Sequence, residues 1–328
     1  MSIARHLRGA IALALLLAAP AATCLSGDDR FKFNLGVLRR DGVLLPFVSF
    51  DGHAWSIQWP DAFAQVPLPI SLADVPSKWF GPPGPAAPWT AWFPDGPTRK
   101  LVIGKPVHVG VFCSGHLGLT TDYRGGEIDP RAPTVPKDAL AVTGTVEVAP
   151  IITVSLLTAE AARVVKEFTD RFNDSEKMAA GAFASWTHPW SAEERKAFPI
   201  ELEAFYRAPE SRPGGTDFRT TYVEMVRRFP ARPGDNGCGL ITYGRGWMTE
   251  VTGKKPVITL AARVTYCDRD QVAFMQPLGR LRINKDSYWV YQMSSWRDET
   301  YFVTRVSQDG VRPIVAVSGG SCPREPRH

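Results

Sequence analysis

Cys238-Gly-Leu-Ile-Thr-Tyr-Gly-Arg-Gly-Trp-Met-Thr-Glu-Val-Thr-Gly-Lys-Lys-Pro-Val-Ile-Thr-Leu-Ala-Ala-Arg-Val-Thr-Tyr-Cys267 decides the fold. In its second half Ile258, Leu260, Ala262, Val264 and Tyr266 share one face, and Thr259, Ala261, Arg263 and Thr265 share the other. That period of two belongs to a strand. Thr252-Gly253 supplies a short turn, because glycine takes positive φ without steric cost. Strands 239–249 and 256–267 are therefore expected to form a hairpin. Opposed residues in a hairpin have a constant index sum. A two-residue turn pairs Val251 with Lys254, a sum of 505 that Cys238 and Cys267 share. The two cysteines are thus expected directly across from each other, in reach of a disulfide. Elimination then joins Cys113 to Cys322.

The same alternation continues downstream, with expected strands at 271–283, 287–295, 299–307 and 311–317. Upstream, Phe31, Phe33, Leu35 and Val37 alternate with polar or small residues. Asp41-Gly42 and Asp51-Gly52 then punctuate a three-stranded meander in which His53, Trp55, Ile57 and Trp59 fall on one face. Val107, Val109, Val111 and Cys113 alternate again, as do Val142, Val146 and Val148, and then Ile152, Val154 and Leu156. Residues 60–100 are rich in proline and tryptophan, and proline is expected to prevent regular pairing there. Residues 120–138 read as loop. One amphipathic helix begins at Thr158, its N-cap, and breaks at Asn173-Asp-Ser175. Ser191-Ala-Glu-Glu194 is a capping box that opens a short helix ending before Pro199. Residues 220–228 read as a third helix.

The expected fold is mainly β, built of antiparallel meanders with one amphipathic α-helix and a short helical insertion, secreted and disulfide-stabilised. Residues 1–24 read as a signal peptide. Residues 25–156 form an N-terminal β-rich region, 157–237 a helical and loop segment, and 238–328 a C-terminal meander. One composite domain over 25–328 also fits. The signal-peptide reading rests on Arg5 and Arg8 ahead of the apolar run Ala10–Ala19, followed by small residues. That run is too short to span a bilayer, which takes about 20 apolar residues. Cleavage after Ala21 keeps Cys24, cleavage after Cys24 removes it, and lipidation at Cys24 is a third reading. The expected location is exported, periplasmic or extracellular, where cysteines pair.

Loss of residues 1–24 lowers the formal charge from +5 to +3. A chain of this length with so little net charge carries no nucleic-acid footprint. No second apolar stretch is long enough for a membrane span. The histidines are scattered, and HExxH, paired CxxC and EF-hand spacings are absent, so neither a metal nor a cofactor is expected. Gly234-Asp-Asn-Gly-Cys-Gly239 resembles the Gly-Asp-Ser-Gly loop of trypsin-like serine proteases. Asn236 stands where the nucleophilic serine would be, so the segment reads as a turn.

Two functional readings follow. His116, three residues after Cys113, could act with Asp122 as an acid–base pair in a secreted hydrolase. Alternatively Trp79, Trp89, Trp92, Trp186 and Trp190, on loops of a β scaffold, stack on a glycan or protein ligand, and this non-enzymatic binding or structural role is favoured. Beside it stands the reading in which each tryptophan pins its loop to the sheet.

Overall fold

The computed structural model describes residues 31–65, 67, 71–132, 134–182, 187–210, 217–231, 238–269 and 272–323. The leader 1–24, Cys24, Trp186 and the turn 234–237 lie outside them. The alternating segments pair into three antiparallel sheets. The first sheet contains β1 (Lys32–Arg39), β2 (Val43–Asp51), β3 (Trp55–Ser56), β4 (Trp89–Trp92), β5 (Arg99–Leu101), β6 (Ile103–Val111), β7 (Ser114–Thr121) and β8 (Lys137–Thr143). Its order is β5-β4-β8-β1-β2-β7-β6, with β3 beside β2.

The second sheet runs β18 (Gly310–Ser321), β17 (Asp298–Ser307), β16 (Asp286–Ser294), β15 (Phe274–Ile283) and β9 (Glu147–Ala149). The third runs β10 (Ile152–Thr153), β11 (Glu201–Glu210), β12 (Phe218–Arg228), β13 (Leu240–Val251) and β14 (Val257–Tyr266). Two helices, α1 (Ala159–Ala180) and α2 (Ala192–Lys196), lie between β10 and β11 in the chain.

The cores show how the sheets stack. Phe33, Leu35, Val37 and Leu45 of the first sheet pack with Val290, Tyr301, Val303 and Val315 of the second. The opposite face of the first sheet, with Leu38, Leu44, Ala139 and Ala141, is covered by Trp59 and by Val75 and Phe80 from the proline-rich excursion that follows it. The opposite face of the second, with Met275, Trp289, Tyr291 and Val306, meets Ala208, Phe218 and Tyr222 of the third. The remaining face of the third, with Phe205, Val223, Met225 and Met248, receives Val164, Phe168 and Phe172 of α1. The layers are excursion, sheet, sheet, sheet, helix.

This stacking explains why residues 220–228 form the strand β12 and not the expected helix. Tyr222 faces the second sheet and Val223 and Met225 face α1, so apolar side chains occupy both faces and the alternation fades. α1 starts as expected, with Thr158 Oγ1 accepting from Ala161 N at 3.1 Å, but it runs through Asn173-Asp-Ser175 to Ala180. Those polar residues serve docking. Asn173 accepts from Arg227 at 2.9 Å, and Ser175 donates to the Leu260 carbonyl at 3.0 Å. α1 sits close because β13 carries Gly244 and Gly246 beneath it. A Cβ at either would lie 2.7 or 2.6 Å from the Phe172 or Phe168 ring.

Three other expectations are corrected. The prolines of 60–100 do not prevent pairing throughout, since β4 lies between Pro88 and Pro94 and pairs with both β8 and β5. His53, Trp55, Ile57 and Trp59 do not share a face. Only Trp55–Ser56 pairs with β2, Trp55 and Trp59 join opposite cores, and Ile57 is 52% exposed. The hairpin register is Leu240↔Tyr266 to Thr249↔Val257, one residue from the expected sum. Pro256 cannot donate to the ladder, so pairing resumes only at Val257. Cys267 N therefore donates to Gly239 O at 3.0 Å, and Cys238 reaches Cys267 diagonally with Cα atoms 5.5 Å apart. The expected connectivity stands: Cys238–Cys267 and Cys113–Cys322.

A buried ion pair also joins two layers. Lys137 of β8 donates to Glu299 of β17 at 2.5 Å, with both side chains almost fully buried. Glu299 also accepts from Tyr301 (2.5 Å) and Gln292 (3.3 Å). Removing one partner strands a charge in the core. Lys137→Met should lower unfolding stability by about 3–5 kcal/mol in urea titrations, and Lys137→Met/Glu299→Leu should recover much of that loss.

Non-reducing peptide mapping should yield only the two cross-links above among Cys113, Cys238, Cys267 and Cys322. By loop entropy, serine replacement of the Cys238–Cys267 pair should lower stability by about 3–4 kcal/mol, and of Cys113–Cys322 by about 5 kcal/mol.

Candidate functional site

The residues expected to carry catalysis do not come together. His116 lies within strand β7, 2% exposed, and neither ring nitrogen has a hydrogen-bond partner among the described residues. Asp122 follows the strand end and binds elsewhere. It accepts from Arg99 at 2.9 Å and from Val102 N at 2.9 Å, and Arg99 first, then Val102 N, holds its carboxyl below the usual range. Cys113 is in a disulfide. Burial pushes the His116 imidazole down from 6.5 to about 4; Asp61 acts the other way, while Arg39 and Lys137 add to the fall.

The expected aromatic platform is also dispersed. Trp89 is buried in β4 and Trp92 packs against the core between the first two sheets. Trp79 meets Trp59 edge-to-face at 5.9 Å. Trp190 packs on Phe198 at 5.2 Å, and its carbonyl accepts from Arg195 at 2.7 Å. For Trp79, Trp89 and Trp92 the pinning role fits the geometry.

Aromatic rings do line a groove elsewhere, where the third sheet overhangs the second. β13 reads Tyr243-Gly-Arg-Gly-Trp-Met248, so its odd positions place Tyr243, Arg245 and Trp247 on one face while the glycines lie under α1. Across the ladder Tyr222 opposes Trp247, and Thr259 and Ala261 of β14 oppose Trp247 and Arg245. The second sheet contributes Met275, Tyr291, Met293 and Phe302. Together these residues, Tyr243 apart, line an open cleft of about 340 Å³. A second cleft of about 400 Å³ is lined by Tyr243, Arg263 and Val272 among others, and both clefts share Arg245 and Ala261.

The rings support one another. Trp247 lies 4.9 Å from Tyr222, 5.0 Å from Trp289 and 5.8 Å from Tyr291, edge-on or tilted, and Tyr291 stacks on Phe302 at 5.3 Å. Their polar ends turn inward. Tyr222 donates to Glu224 at 3.2 Å, Tyr291 shares a hydrogen bond with Thr304 at 2.9 Å, and Tyr243 donates to Ala273 O at 3.4 Å. Glu224 also accepts from Met275 N at 2.6 Å. Burial raises the pKa of all three tyrosines and of Glu224. The groove therefore offers the partly exposed Trp247 and Phe302 rings over a floor of buried tyrosines.

A larger cleft, about 720 Å³, lies beside the Cys113–Cys322 bond and is lined by Ala62, Phe63, His108, Ser114 and Ser321. Ser114 and Ser321 satisfy each other there, Ser114 Oγ donating to Ser321 O at 3.0 Å. It lacks an organised set of rings or charges. No group of three or more metal-ligating side chains occurs among the described residues.

No family model matches the chain, and no curated protein or solved structure resembles it significantly. The groove residues escaped the sequence reading, which looked for tryptophans on loops. The alternation of bulky side chains with glycine at 243–247 was the available signal, since it makes a strand with one heavily built face.

The buried imidazole gives a pH dependence with a definite sign. Unfolded, His116 takes up a proton near 6.5, and folded it resists until about 4. Its contribution is full above 6.5 and is lost as pH falls toward 4, by about 3 kcal/mol. His116→Leu should flatten that part of the stability–pH curve in urea titrations at pH 4–7. An unchanged slope would remove His116 from the acid response.

Proposed function

We propose that this chain is an exported, non-catalytic binding protein whose groove between the second and third sheets takes a carbohydrate chain. The observation that carries the reading is the pair of partly exposed rings, Trp247 and Phe302, backed by the buried Tyr222 and Tyr291 whose hydroxyls turn inward. Flat aromatic faces stack on the apolar faces of sugar rings, and rigid side chains lose little entropy on binding. The two clefts joined at Arg245 suit an extended ligand more than a compact one. Export rests on the leader read at residues 1–24. The two disulfides suit an oxidising compartment, and no helix among the described residues is long and apolar enough to cross a membrane.

The test is a glycan array probed with the disulfide-bonded protein, followed by calorimetry on the best chain. Trp247→Ala should weaken binding at least tenfold, whereas Trp79→Ala should leave affinity unchanged and lower only the melting temperature. Loss of binding in the Trp79 variant with retention in the Trp247 variant would refute the groove.

A further inference from the structure

We propose that the groove selects acidic sugar chains, with Arg245 receiving a uronate carboxylate while Trp247 carries the adjoining ring; this rests on the carbohydrate reading above. Arg245 and Trp247 sit two apart on β13, on one face, which places them about 7 Å from each other along the strand. A carboxylate attached directly to a stacked pyranose ring falls within reach of a long guanidinium side chain at that spacing. Arg245 lines both clefts, is exposed, and makes no hydrogen bond or ion pair with the described residues. Its neighbour on one side is Ala261, too small to fill the space beside it.

The neighbour on the other side is Glu224, directly across the ladder on β12. Its carboxylate is turned to Met275 N and the Tyr222 hydroxyl instead. Among the described residues neither cleft has an aspartate or glutamate in its lining. Arg245 therefore places a positive charge beside the Trp247 ring. A planar guanidinium forms paired hydrogen bonds with a carboxylate, which a neutral sugar cannot supply.

The experiment uses hexamers of α-1,4-galacturonate, β-1,4-mannuronate and β-1,4-glucuronate, each beside its methyl ester, titrated into the wild-type protein and into Arg245→Gln. Esterification keeps the ring and removes the charge. At least one acid should bind ten- to a hundredfold tighter than its ester, about the worth of one charged pair. Arg245→Gln should erase that difference, and Arg245→Lys should restore part of it. Equal binding of acid and ester overturns the inference and leaves the carbohydrate groove standing. Discrimination that survives Arg245→Gln removes Arg245 from the assignment. Failure of every uronate to bind overturns the inference, and the neutral sugars of the array then report separately on the groove.

Discussion

Each of the three sheets has two faces to keep from water, and the architecture follows from that requirement. A sheet buried on one face can leave the other polar; here apolar side chains project from both. The second sheet solves the problem by lying between the other two. The first needs an outer cover, which residues 59–80 provide through Trp59, Val75 and Phe80. The third needs another, and α1 fills it with Val164, Phe168 and Phe172. The excursion and the long helix thus act as end plates of one stack. The groove lies where β13 and β14 cross the β18 edge of the second sheet, and most of the odd face of β14 is left exposed.

Apolar layers alone could slide over one another, and buried polar groups fix their registry. Lys137–Glu299 locks the first sheet to the second. Glu210 at the end of β11 accepts from Trp289 Nε1 at 3.1 Å and pairs with Arg280 at 3.0 Å, locking the third sheet to the second. Glu176 on α1 takes Arg227 of β12 at 2.5 Å and Arg195 of α2 at 3.3 Å, locking both helices to the third sheet. Each carboxylate is desolvated and each has a cation, so the energetic penalty of a wrong alignment is large. The same device operates at Glu224, where backbone and tyrosine donors replace the cation.

Much of the fold was legible because alternation survives wherever a strand faces unlike environments. β14 is the clearest case, with one row under α1 and one in the open. It faded in β12, where both rows are apolar, and a helix was read there instead. The disulfide pairing was legible although the register behind it was not, because a diagonal pair has nearly the same reach as a direct one. The site was hidden for a different reason. Trp89 and Trp92 stand among prolines and look like binding-loop residues, yet β8 draws them into the sheet. Trp247 stands in an ordinary strand, and its exposure depends on the overhang, a relation between two sheets that no local pattern encodes.

The Cys113–Cys322 bond sets how the molecule would carry tension. A pull between Lys32 and Pro323 travels along the backbone to Cys113, crosses the sulfurs to Cys322, and leaves. Everything from Ser114 to Ser321 hangs outside that line of force, including the second and third sheets, α1 and the groove. Only β1 to β6 and the excursion lie in series with the load, so a pull is borne by the first sheet, its central strands β1 and β2 included, before it reaches the second and third.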